Sequence, residues 1–462
     1  MFVEAFVDKD LGNSAYLVGS HETKNAVLVD PLRDVDRYLA VADRLGVRLT
    51  HVLETHLHAD FISGARELAA RSGVTIAASA EAGLGFDHLP LEAGAKLPVG
   101  ELLLSVLRTP GHTPEHISFL AEAPDGAGPP ALLSGGALIV GGVARTDLLG
   151  HDLSEPLARR LYHTVHHTLL ALPDDVGVFP THGTGSFCAA PPSAERTTTI
   201  GRERRMNPLA KARDEEEFVR LALAGLPTYP TYFAEMRAIN QRGPRVLGGI
   251  PDPRPLSAHE VRRAIDRGIA VLDVRPAPEF ARGHIPGSYG IAIEAPLTVW
   301  AGWLIPFGTP LVLVTSDDRE CAAAVHRLIR IGYDRFEGRL DGGLAAWEDA
   351  RFETRRYATL SPHEIHARLR AGNAPVLIDV RQDVEWRAGH IEGARHIENG
   401  ALTNPALDLP RDREIALHCQ HGERSVAGLS VLERRGYRDL TLVEGGLSAW
   451  IEAGFDVARD AG

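Results

Sequence analysis

The segment ETHLHADF, residues 54–61, follows an apolar run and carries two histidines and an aspartate at the spacing of metal ligands. Residues i and i+2 of an extended segment face the same side, so His56 and His58 can reach one ion. Asp60 follows on the turn, and Phe61 stands where a third histidine would be expected. The segment therefore predicts a metal site that departs from the usual pattern at one position.

Two further histidines also follow apolar runs. His112 lies in TPGHTPEH, after ELLLSVLR, and His182 lies in FPTHGTGS. The ends of strands are where α/β folds place their chemistry, and three neutral imidazoles can hold one Zn, Fe or Cu ion. For any one of the 21 histidines a surface or capping role is the ordinary alternative. That alternative weakens for an HxHxD pattern with two more strand-end histidines.

Length and composition limit the classes of protein to which the chain can belong. A chain of 462 residues predicts two to four domains, and 44% hydrophobic with 24% charged residues is typical of a soluble protein. The net charge of −12 argues against a nucleic-acid or membrane partner. The first ten residues lack the apolar core of a signal peptide. The three cysteines, Cys188, Cys321 and Cys419, are too few for a disulfide framework, so we expect a cytoplasmic location.

The second half of the chain contains an internal repeat. VLDVRPAPEFARGHIPG at 271–287 matches LIDVRQDVEWRAGHIEG at 377–393, and GGLAAW at 342–347 matches GGLSAW at 445–450. A period of about 100 residues indicates domain duplication, because solenoid repeats run about 20–50 residues. Apolar runs alternate with helical patterns in each copy, which predicts parallel sheets. The first 200 residues predict an α/β domain with two sheets and outer helices. We expect domains at 1–250, 255–354 and 358–462.

The N-terminal pattern resembles the metallo-β-lactamase superfamily. THLHADFISG is similar to its THxHxDH motif, and GHT around His112 and the final His182 continue the match. ALLSGGALIVGGVARTDLLG resembles a segment of glyoxalase II and persulfide dioxygenases, whose end matches Arg145, Asp147 and Leu148. The resemblance covers about residues 1–240, including TTIGRERRMNP, and is closest to persulfide dioxygenase–rhodanese fusions. It implies an αββα sandwich.

Two departures from the sequence pattern of that family lie at metal-ligand positions. Phe61 replaces the histidine of the second metal, and Gly136 replaces an aspartate that bridges two ions or completes a two-histidine, one-carboxylate iron site. The departures disfavour a dinuclear hydrolase. A mononuclear site of His56, His58 and His112 is the remaining metal hypothesis, with Fe(II) or alternatively Zn. A decayed, metal-free site is the competing interpretation.

IALHCQHGERSVAG places Cys419 at the end of an apolar strand, before a tight loop and a helix. Loop amides, the helix N-terminus and Arg424 favour the thiolate, which is the nucleophilic form. The pattern resembles the rhodanese active loop CxxGxRS and implies doubly wound parallel-sheet domains, with Cys419 as nucleophile and Arg424 as a second catalytic residue. The resemblance also implies a set of substrate-binding loop residues: Gln420, His421, Gly422, Glu423 and Ser425.

The first copy of the repeat lacks this loop. Thr315 stands at the cysteine position, Glu320 at the arginine position, and Cys321 at the position of Ser425. The loop sequence TSDDRE is acidic where an active loop needs positive potential. We therefore expect the first rhodanese-like domain to be inactive and structural.

These features together predict an enzyme of sulfide detoxification. The resemblance implies persulfide oxidation to sulfite at a mononuclear iron, coupled to sulfur transfer through Cys419. Its partners would be a small persulfide or thiosulfate and a thiol acceptor, and the family habit implies a homodimer or a higher oligomer. Three alternatives stay open. One is a sulfurtransferase with a metal-deficient scaffold, and another is a glyoxalase II-like thioester hydrolase. The third is a non-enzymatic redox or sulfide sensor that would depend on Cys419 alone.

Overall fold

A computed structural model of the protein describes residues 1–190 and 195–459. The chain divides into two compact units. One comprises Met1–Ile250 with Ile329–Ile331, and the other contains the remaining described residues from Pro251 onward. The domain limits 1–250, 255–354 and 358–462 stay a prediction, and residues 460–462 of the last domain lie outside the described part. No helix in the described ranges is long and apolar enough to span a bilayer.

The first unit begins with a six-stranded sheet in the order β1 to β6, antiparallel from β1 to β3 and parallel from β3 to β6. Its strands are β1 (Phe2–Asp8), β2 (Asn13–Gly19), β3 (Asn25–Val29), β4 (Arg48–Leu53), β5 (Thr75–Ser79) and β6 (Leu89–Leu91). Successive residues of β3 enter two different cores. Val27 and Val29 face the inner core, whereas Ala26 and Leu28 face the helices. This alternation follows from the period of two along a strand.

A second six-stranded sheet packs against the first, in the order β14-β12-β10-β9-β8-β7. Its strands are β7 (Lys96–Val99), β8 (Leu102–Arg108), β9 (Ile117–Glu122), β10 (Ala131–Gly135), β12 (Gly177–Pro180) and β14 (Thr198–Thr199). Two short strands, β11 (Val143–Ala144) and β13 (Ala189–Ala190), pair with each other. The inner core between the sheets joins Leu104, Phe119 and Leu133 to Tyr16 and Leu53.

Helices cover the outer faces of both sheets. They are α1 (Asp36–Leu45), α2 (Ala65–Ser72), α3 (His151–His163), α4 (Ile200–Met206) and α5 (Glu215–Leu223). A sixth helix, α6 (Phe233–Arg242), bonds through Asn240 to the loop after β4. A π-helical turn, Thr164–Leu169, continues α3, and 3₁₀ turns lie at Ala80–Ala82 and Pro124–Gly126. Leu161, Val165 and Phe218 pack with Leu132 and Val178 of the second sheet.

The second unit contains two five-stranded parallel sheets with the same strand order. The first has the order β15-β19-β18-β16-β17 and the second β20-β24-β23-β21-β22. The first sheet consists of β15 (Pro255–Leu256), β16 (Ala270–Asp273), β17 (Tyr289–Gly290), β18 (Leu311–Val314) and β19 (Phe336–Leu340). The second consists of β20 (Ala358–Leu360), β21 (Val376–Asp379), β22 (Arg395–His396), β23 (Ile415–His418) and β24 (Leu440–Val443).

The helices of the second unit also repeat. The first copy has α7 (Ala258–Asp266), α8 (Ala277–Arg282), α9 (Leu297–Leu304), α10 (Asp318–Arg330) and α11 (Gly343–Asp349). The second has α12 (Pro362–Ala371), α13 (Asp383–Ala388), a 3₁₀ turn at Asn399–Thr403, α14 (Glu423–Arg434) and α15 (Gly446–Glu452). Equivalent capping boxes begin α7, with Ser257 and Glu260, and α12, with Ser361 and Glu364. The predicted αββα sandwich and two parallel-sheet domains are confirmed.

Candidate functional site

Four buried histidines meet at the ends of strands in the first unit. His56 and His58 follow β4, His112 follows β8, and His182 follows β12. The ring centre of His56 lies 4.8 Å from that of His112 and 5.3 Å from that of His182. The rings of His112 and His182 lie 5.2 Å apart. Loops from three strands therefore bring three imidazoles to one point.

Hydrogen bonds fix the orientation of two of these rings. The Nδ1 atom of His56 lies 2.8 Å from Thr55 Oγ1, and the Thr55 hydroxyl donates its proton to Asp30 at 2.7 Å. His56 Nδ1 must therefore be the donor to Thr55. His112 Nδ1 lies 2.6 Å from the carbonyl oxygen of Arg145, which can only accept. In their neutral forms both rings leave Nε2 as a bare acceptor.

His182 is held in the same way. Its Nδ1 atom lies 3.2 Å from Asn13 Oδ1 and 3.4 Å from Asp60 Oδ2. Asn13 donates its amide N–H to Asp60, so its oxygen faces the histidine as an acceptor. The Nε2 atom of His182 faces that of His56 at 3.3 Å. A metal-ligating histidine usually has such an acceptor on its other nitrogen, so this arrangement is typical of ligands.

The ring environments favour neutral imidazoles. Burial, followed by neighbouring histidines, lowers the pKa of His56 well below its usual value. Burial and the nearby His182 lower the pKa of His112 to about 3. Among the described residues, three buried groups have ligand atoms within 4.8 Å of one another. They are His56, His112 and His182; Asp30, His56 and His58; and His58, Asp60 and His182.

His58 lies in a different environment from the other three. Its Nε2 atom lies 3.0 Å from a Glu54 oxygen and 3.3 Å from an Asp30 oxygen. Burial disfavours the charged ring, but the carboxylates of Asp30 and Glu54 outweigh it and raise the pKa of His58 to about 10. Its Nδ1 atom is buried and has no hydrogen-bond partner among the described residues. The set of His56, His58 and His112 is not one of the three groups, and it stays a prediction.

In the second unit, Cys419 directly follows β23 and is 1% exposed. The backbone N–H of Gly422 donates to its sulfur at 3.0 Å. Gly422 has a φ of 126°, which L-residues rarely adopt, and α14 begins at the next residue. The loop thus places a backbone donor and the positive end of a 12-residue helix at the sulfur.

The carbonyl groups of the same loop are tied to α15. Leu447 N–H donates to the Cys419 oxygen at 2.8 Å, and Ser448 N–H donates to the Gln420 oxygen at 3.0 Å. A side chain at Gly446 would place Cβ 2.3 Å from the Cys419 oxygen, and Gly446 also has a φ of 59°. The paired glycines of EGGLSAW therefore let α15 approach the loop closely enough to bind both carbonyls.

Comparisons with known proteins identify the families of the domains that contain these residues. The model of the metallo-beta-lactamase superfamily matches residues 8–182, and that of the rhodanese-like domain matches 257–350 and 361–453. The persulfide dioxygenase ETHE1, mitochondrial, of Homo sapiens is 32% identical over 208 residues, covering 45% of this chain and 74% of the relative. The chain belongs to the metallo-beta-lactamase superfamily. It joins a metallo-beta-lactamase domain similar to ETHE1 to two rhodanese-like domains, an arrangement that indicates sulfur metabolism.

Two other relatives are informative. The crystal structure of a metallo-beta-lactamase from Staphylococcus aureus is 32% identical, with a TM-score of 0.67, and covers 73% of this chain and 98% of that chain. A hydroxyacylglutathione hydrolase from Polaromonas is 36% identical over 174 residues, covering 37% of this chain and 62% of the relative. The chain is thus similar to a hydroxyacylglutathione hydrolase as well as to a persulfide dioxygenase.

The two departures in the metallo-beta-lactamase domain have structural counterparts. Phe61 is buried and stacks on His58, with ring centres 4.1 Å apart. Gly136 directly follows β10 and lies under the ring of His112. A Cβ atom there would lie 2.5 Å from His112 Cδ2 and 2.9 Å from Ala144 Cβ. The space that a side chain at position 136 would need is therefore already filled.

The donor set fits one divalent ion. The Nε2 atoms of His56 and His182 lie 3.3 Å apart, where two lone pairs would repel unless a cation or proton stood between them, and His112 completes the group. Buried Asp60 Oδ1 also has no hydrogen-bond partner in the described ranges. These groups are consistent with a metal site, and imidazole ligands suit iron and zinc alike.

Arg424 of the second rhodanese-like domain is tied to a carboxylate. Its two Nη atoms lie 2.6 and 2.8 Å from the Glu385 oxygens. Burial would raise the pKa of Glu385, but the Arg424 bonds outweigh it and lower that pKa. The guanidinium charge near Cys419 is therefore partly balanced. The catalytic role of Arg424 stays a prediction.

The predicted substrate-binding residues fall into two classes. Gln420 bridges Arg381 Nη1 at 3.3 Å and Ser448 Oγ at 2.8 Å, and the buried Ser425 Oγ has no hydrogen-bond partner among the described residues. The other three line a cleft of about 860 Å³: His421, Gly422 and Glu423. That volume is typical of a small-molecule site. Their binding role stays a prediction.

The first rhodanese-like domain has a loop of opposite character. Thr315 follows β18 as Cys419 follows β23, with Val314 and His418 paired to equivalent aspartates in the two sheets. The Glu320 carboxylate accepts the Ser316 N–H, so a loop donor is occupied by the chain's own anion. Burial raises the pKa of the Cys321 thiol. The loop thus has no cysteine at the position of Cys419, and one of its N–H groups is bonded to Glu320. That this domain is inactive stays a prediction.

Sequence reasoning missed several residues that orient the histidines. Asp30 accepts Thr55 N–H and hydroxyl bonds at 2.8 and 2.7 Å, and it ends the apolar run NAVLVD, which was the available signal. His116 accepts the Gly136 N–H on Nε2 at 2.9 Å and lies 2.9 Å from Thr109 through Nδ1. Both His116 nitrogens are thereby occupied, so it supports the backbone at Gly136 and is not a ligand candidate.

Proposed function

We propose that this chain is an enzyme of sulfur metabolism with two activities. The metallo-beta-lactamase domain would oxidise a low-molecular-weight persulfide to sulfite at a mononuclear iron. The second rhodanese-like domain would transfer sulfane sulfur through Cys419. The domains would occupy residues 1–250, 255–354 and 358–462, with the middle domain inactive. The observation that carries the proposal is a buried cluster of imidazoles in a domain similar to ETHE1, on the same chain as a cysteine whose sulfur accepts a backbone N–H.

The oxidation has a defined balance. One persulfide, RSSH, reacts with O₂ and water to give the thiol RSH and sulfurous acid, H₂SO₃. A bound ferrous ion would supply the redox chemistry that reaction with O₂ requires, held by imidazoles from the cluster. The chain's own residues orient those rings. Asp30 fixes His56 through Thr55, and the Arg145 carbonyl fixes His112. Burial of the cluster excludes bulk water from the reacting sulfur.

Sulfur transfer needs only the loop of the second rhodanese-like domain. The Cys419 thiolate attacks the outer sulfur of thiosulfate, forming a cysteine persulfide and releasing sulfite. A thiol acceptor, as RS⁻, then attacks the outer sulfur of that persulfide, giving RSS⁻ and restoring the thiolate. The Gly422 N–H, which donates to the sulfur at 3.0 Å, stabilises the anionic forms in both steps. The persulfide produced is a substrate for the first reaction.

Two variants separate the two activities. Cys419→Ser should abolish sulfur transfer from thiosulfate and leave oxygen uptake with added persulfide unchanged. His112→Ala should abolish oxygen uptake and leave sulfur transfer unchanged. Loss of sulfur transfer in His112→Ala, with Cys419→Ser still active, would refute both assignments.

A sulfurtransferase without an oxidising partner is the second candidate. Phe61 and Gly136 at ligand positions favour it. It predicts normal transfer and no persulfide-dependent oxygen uptake after loading with ferrous ion. Release of thiol from S-lactoylglutathione would instead favour a thioester hydrolase.

A further inference from the structure

The position of His112 depends on the absence of a side chain at Gly136. A Cβ atom at Gly136 would lie 2.5 and 2.9 Å from two ring atoms of His112, closer than real contacts allow. The backbone cannot easily withdraw, because the Gly136 N–H is bonded to His116 at 2.9 Å and its oxygen accepts Ala144 N–H at 2.9 Å. Gly136 therefore leaves no empty space, because the His112 ring occupies the volume that a side chain at position 136 would need.

In this position His112 faces His182 as well as His56. The three Nε2 atoms come from loops after β4, β8 and β12, and each ring has its Nδ1 bonded to an acceptor. The Nε2 atoms of the three rings are thus left to face the same point. His182 enters this group through its 3.3 Å approach to His56.

We propose that His182 supplies the ligand that Gly136 cannot, so that one divalent transition-metal ion is bound by His56, His112 and His182. The site is rebuilt from three imidazoles and has not decayed. The proposal rests on the proposed metal centre, but it concerns binding alone and is independent of the reaction assigned to that centre. The proposal requires glycine at position 136, because a Cβ atom there would collide with the His112 ring.

A rebuilt site and a decayed site give opposite expectations for one substitution. If the site has decayed, Gly136→Asp restores a carboxylate ligand and raises metal affinity. If the site is rebuilt, the new side chain displaces His112 and lowers metal affinity. The surrounding charges do not decide between these, because the carboxylates of Asp30 and Asp60 are present in both cases.

The test is metal binding by the full chain, purified without chelator or immobilised metal. Metal per chain is measured by elemental analysis after anaerobic loading with Fe(II), and affinity is measured by titration with Co(II), whose absorption reports its ligands. Variants are His182→Ala, His182→Gln and Gly136→Asp, and the exposed His163→Ala is the matched control. Far-UV circular dichroism and sulfur transfer by the same samples show that each variant is folded.

The wild type and His163→Ala should bind about one ion per chain. Both His182 variants should lose affinity by about 100-fold or more, a loss at least as large as removal of an outer-shell partner causes. Gly136→Asp should bind more weakly than the wild type. Unchanged affinity in both His182 variants, a gain in Gly136→Asp, or no binding by the wild type would each overturn the proposal. One bound ion without persulfide-dependent oxygen uptake would leave the site intact and refute only the proposed oxidation.

Discussion

Glu433, near the C-terminal end of α14, connects the helix that follows Cys419 to the first rhodanese-like domain. Its two carboxylate oxygens lie 2.9 Å from His284 Nε2 and 2.8 Å from the Gly287 N–H. Arg355 lies 3.7 Å away, and the next helix residue, Arg434, stacks on Tyr289 with its guanidinium carbon 4.1 Å from the ring centre. All these partners precede the second rhodanese-like domain in sequence. We expect Glu433→Ala to weaken this connection.

The magnitude follows from the groups left behind. Removing the carboxylate leaves the Gly287 N–H and the His284 ring, which is 0% exposed, without this partner. Each buried polar group left unpaired costs about 1–3 kcal/mol, and the partly exposed Arg355 adds less than about 1 kcal/mol. We expect a total loss of about 2–6 kcal/mol in the free energy of unfolding.

The assay is urea unfolding followed by tryptophan fluorescence and by loss of sulfur transfer. Glu433→Gln retains a hydrogen-bonding group and should fall between the wild type and Glu433→Ala. The exposed Glu452→Ala on α15 is the control and should change stability by less than about 0.5 kcal/mol. If Glu433→Ala costs less than about 1 kcal/mol, the first rhodanese-like domain does not stabilise α14 in this way.

Four further results are expected. Cys419→Ser should abolish sulfur transfer without changing metal content, measured on one preparation. Arg424→Gln removes a cation that interacts with Cys419 and leaves the Glu385 carboxylate without its ion pair, so kcat/KM for thiosulfate should fall by about 10-fold or more in steady-state assays. Gly446→Ala meets the Cys419 oxygen at 2.3 Å, so it should cost clearly more stability than Gly454→Ala, which has a φ of 81° and open space and should cost about 1–2 kcal/mol. Burial opposes ionisation of Glu433, but its bond to His284 outweighs this and lowers its pKa. The stabilisation that the Glu433 carboxylate contributes is therefore complete above about pH 4.3, the pKa of an unfolded glutamate, and is lost as the pH falls through the lower pKa of the folded state. Acid titration of the wild type and of Glu433→Gln checks this.

Much of the fold could be predicted from local pattern. Runs such as NAVLV and LVLV are buried on both faces, and the repeat at 271–287 and 377–393 exposes the duplication without any knowledge of contacts. Cys419 could be placed because its neighbours along the chain form its site. The strand that precedes it, the glycine that donates to it and the helix that follows are all within 15 residues.

The metal cluster was harder because its geometry depends on residues far apart in sequence. The sequence shows that His56, His58, His112 and His182 end strands, but not which nitrogen of each ring faces the centre. That choice is made by partners such as Asn13, which lies 169 residues before His182. The filling of the Gly136 space by His112 is likewise a tertiary contact.

The role of the first rhodanese-like domain also depends on tertiary contacts. Its acidic loop predicts lost catalysis, and the Glu320 bond to Ser316 gives the physical reason. Nothing in the sequence near His284 indicates that its ring would bond to Glu433, 149 residues later. The GHI motif occurs in both copies of the repeat, and only the tertiary contacts show that the histidine of the first copy bonds to Glu433.

The most direct measurement is oxygen consumption by the full chain, loaded anaerobically with ferrous ion and given glutathione persulfide, with sulfite measured in the same sample. The proposed function predicts one O₂ consumed for each sulfite formed, in both the wild type and Cys419→Ser, and none in His112→Ala. No oxygen uptake by a wild type that holds one iron per chain and still transfers sulfur would contradict it.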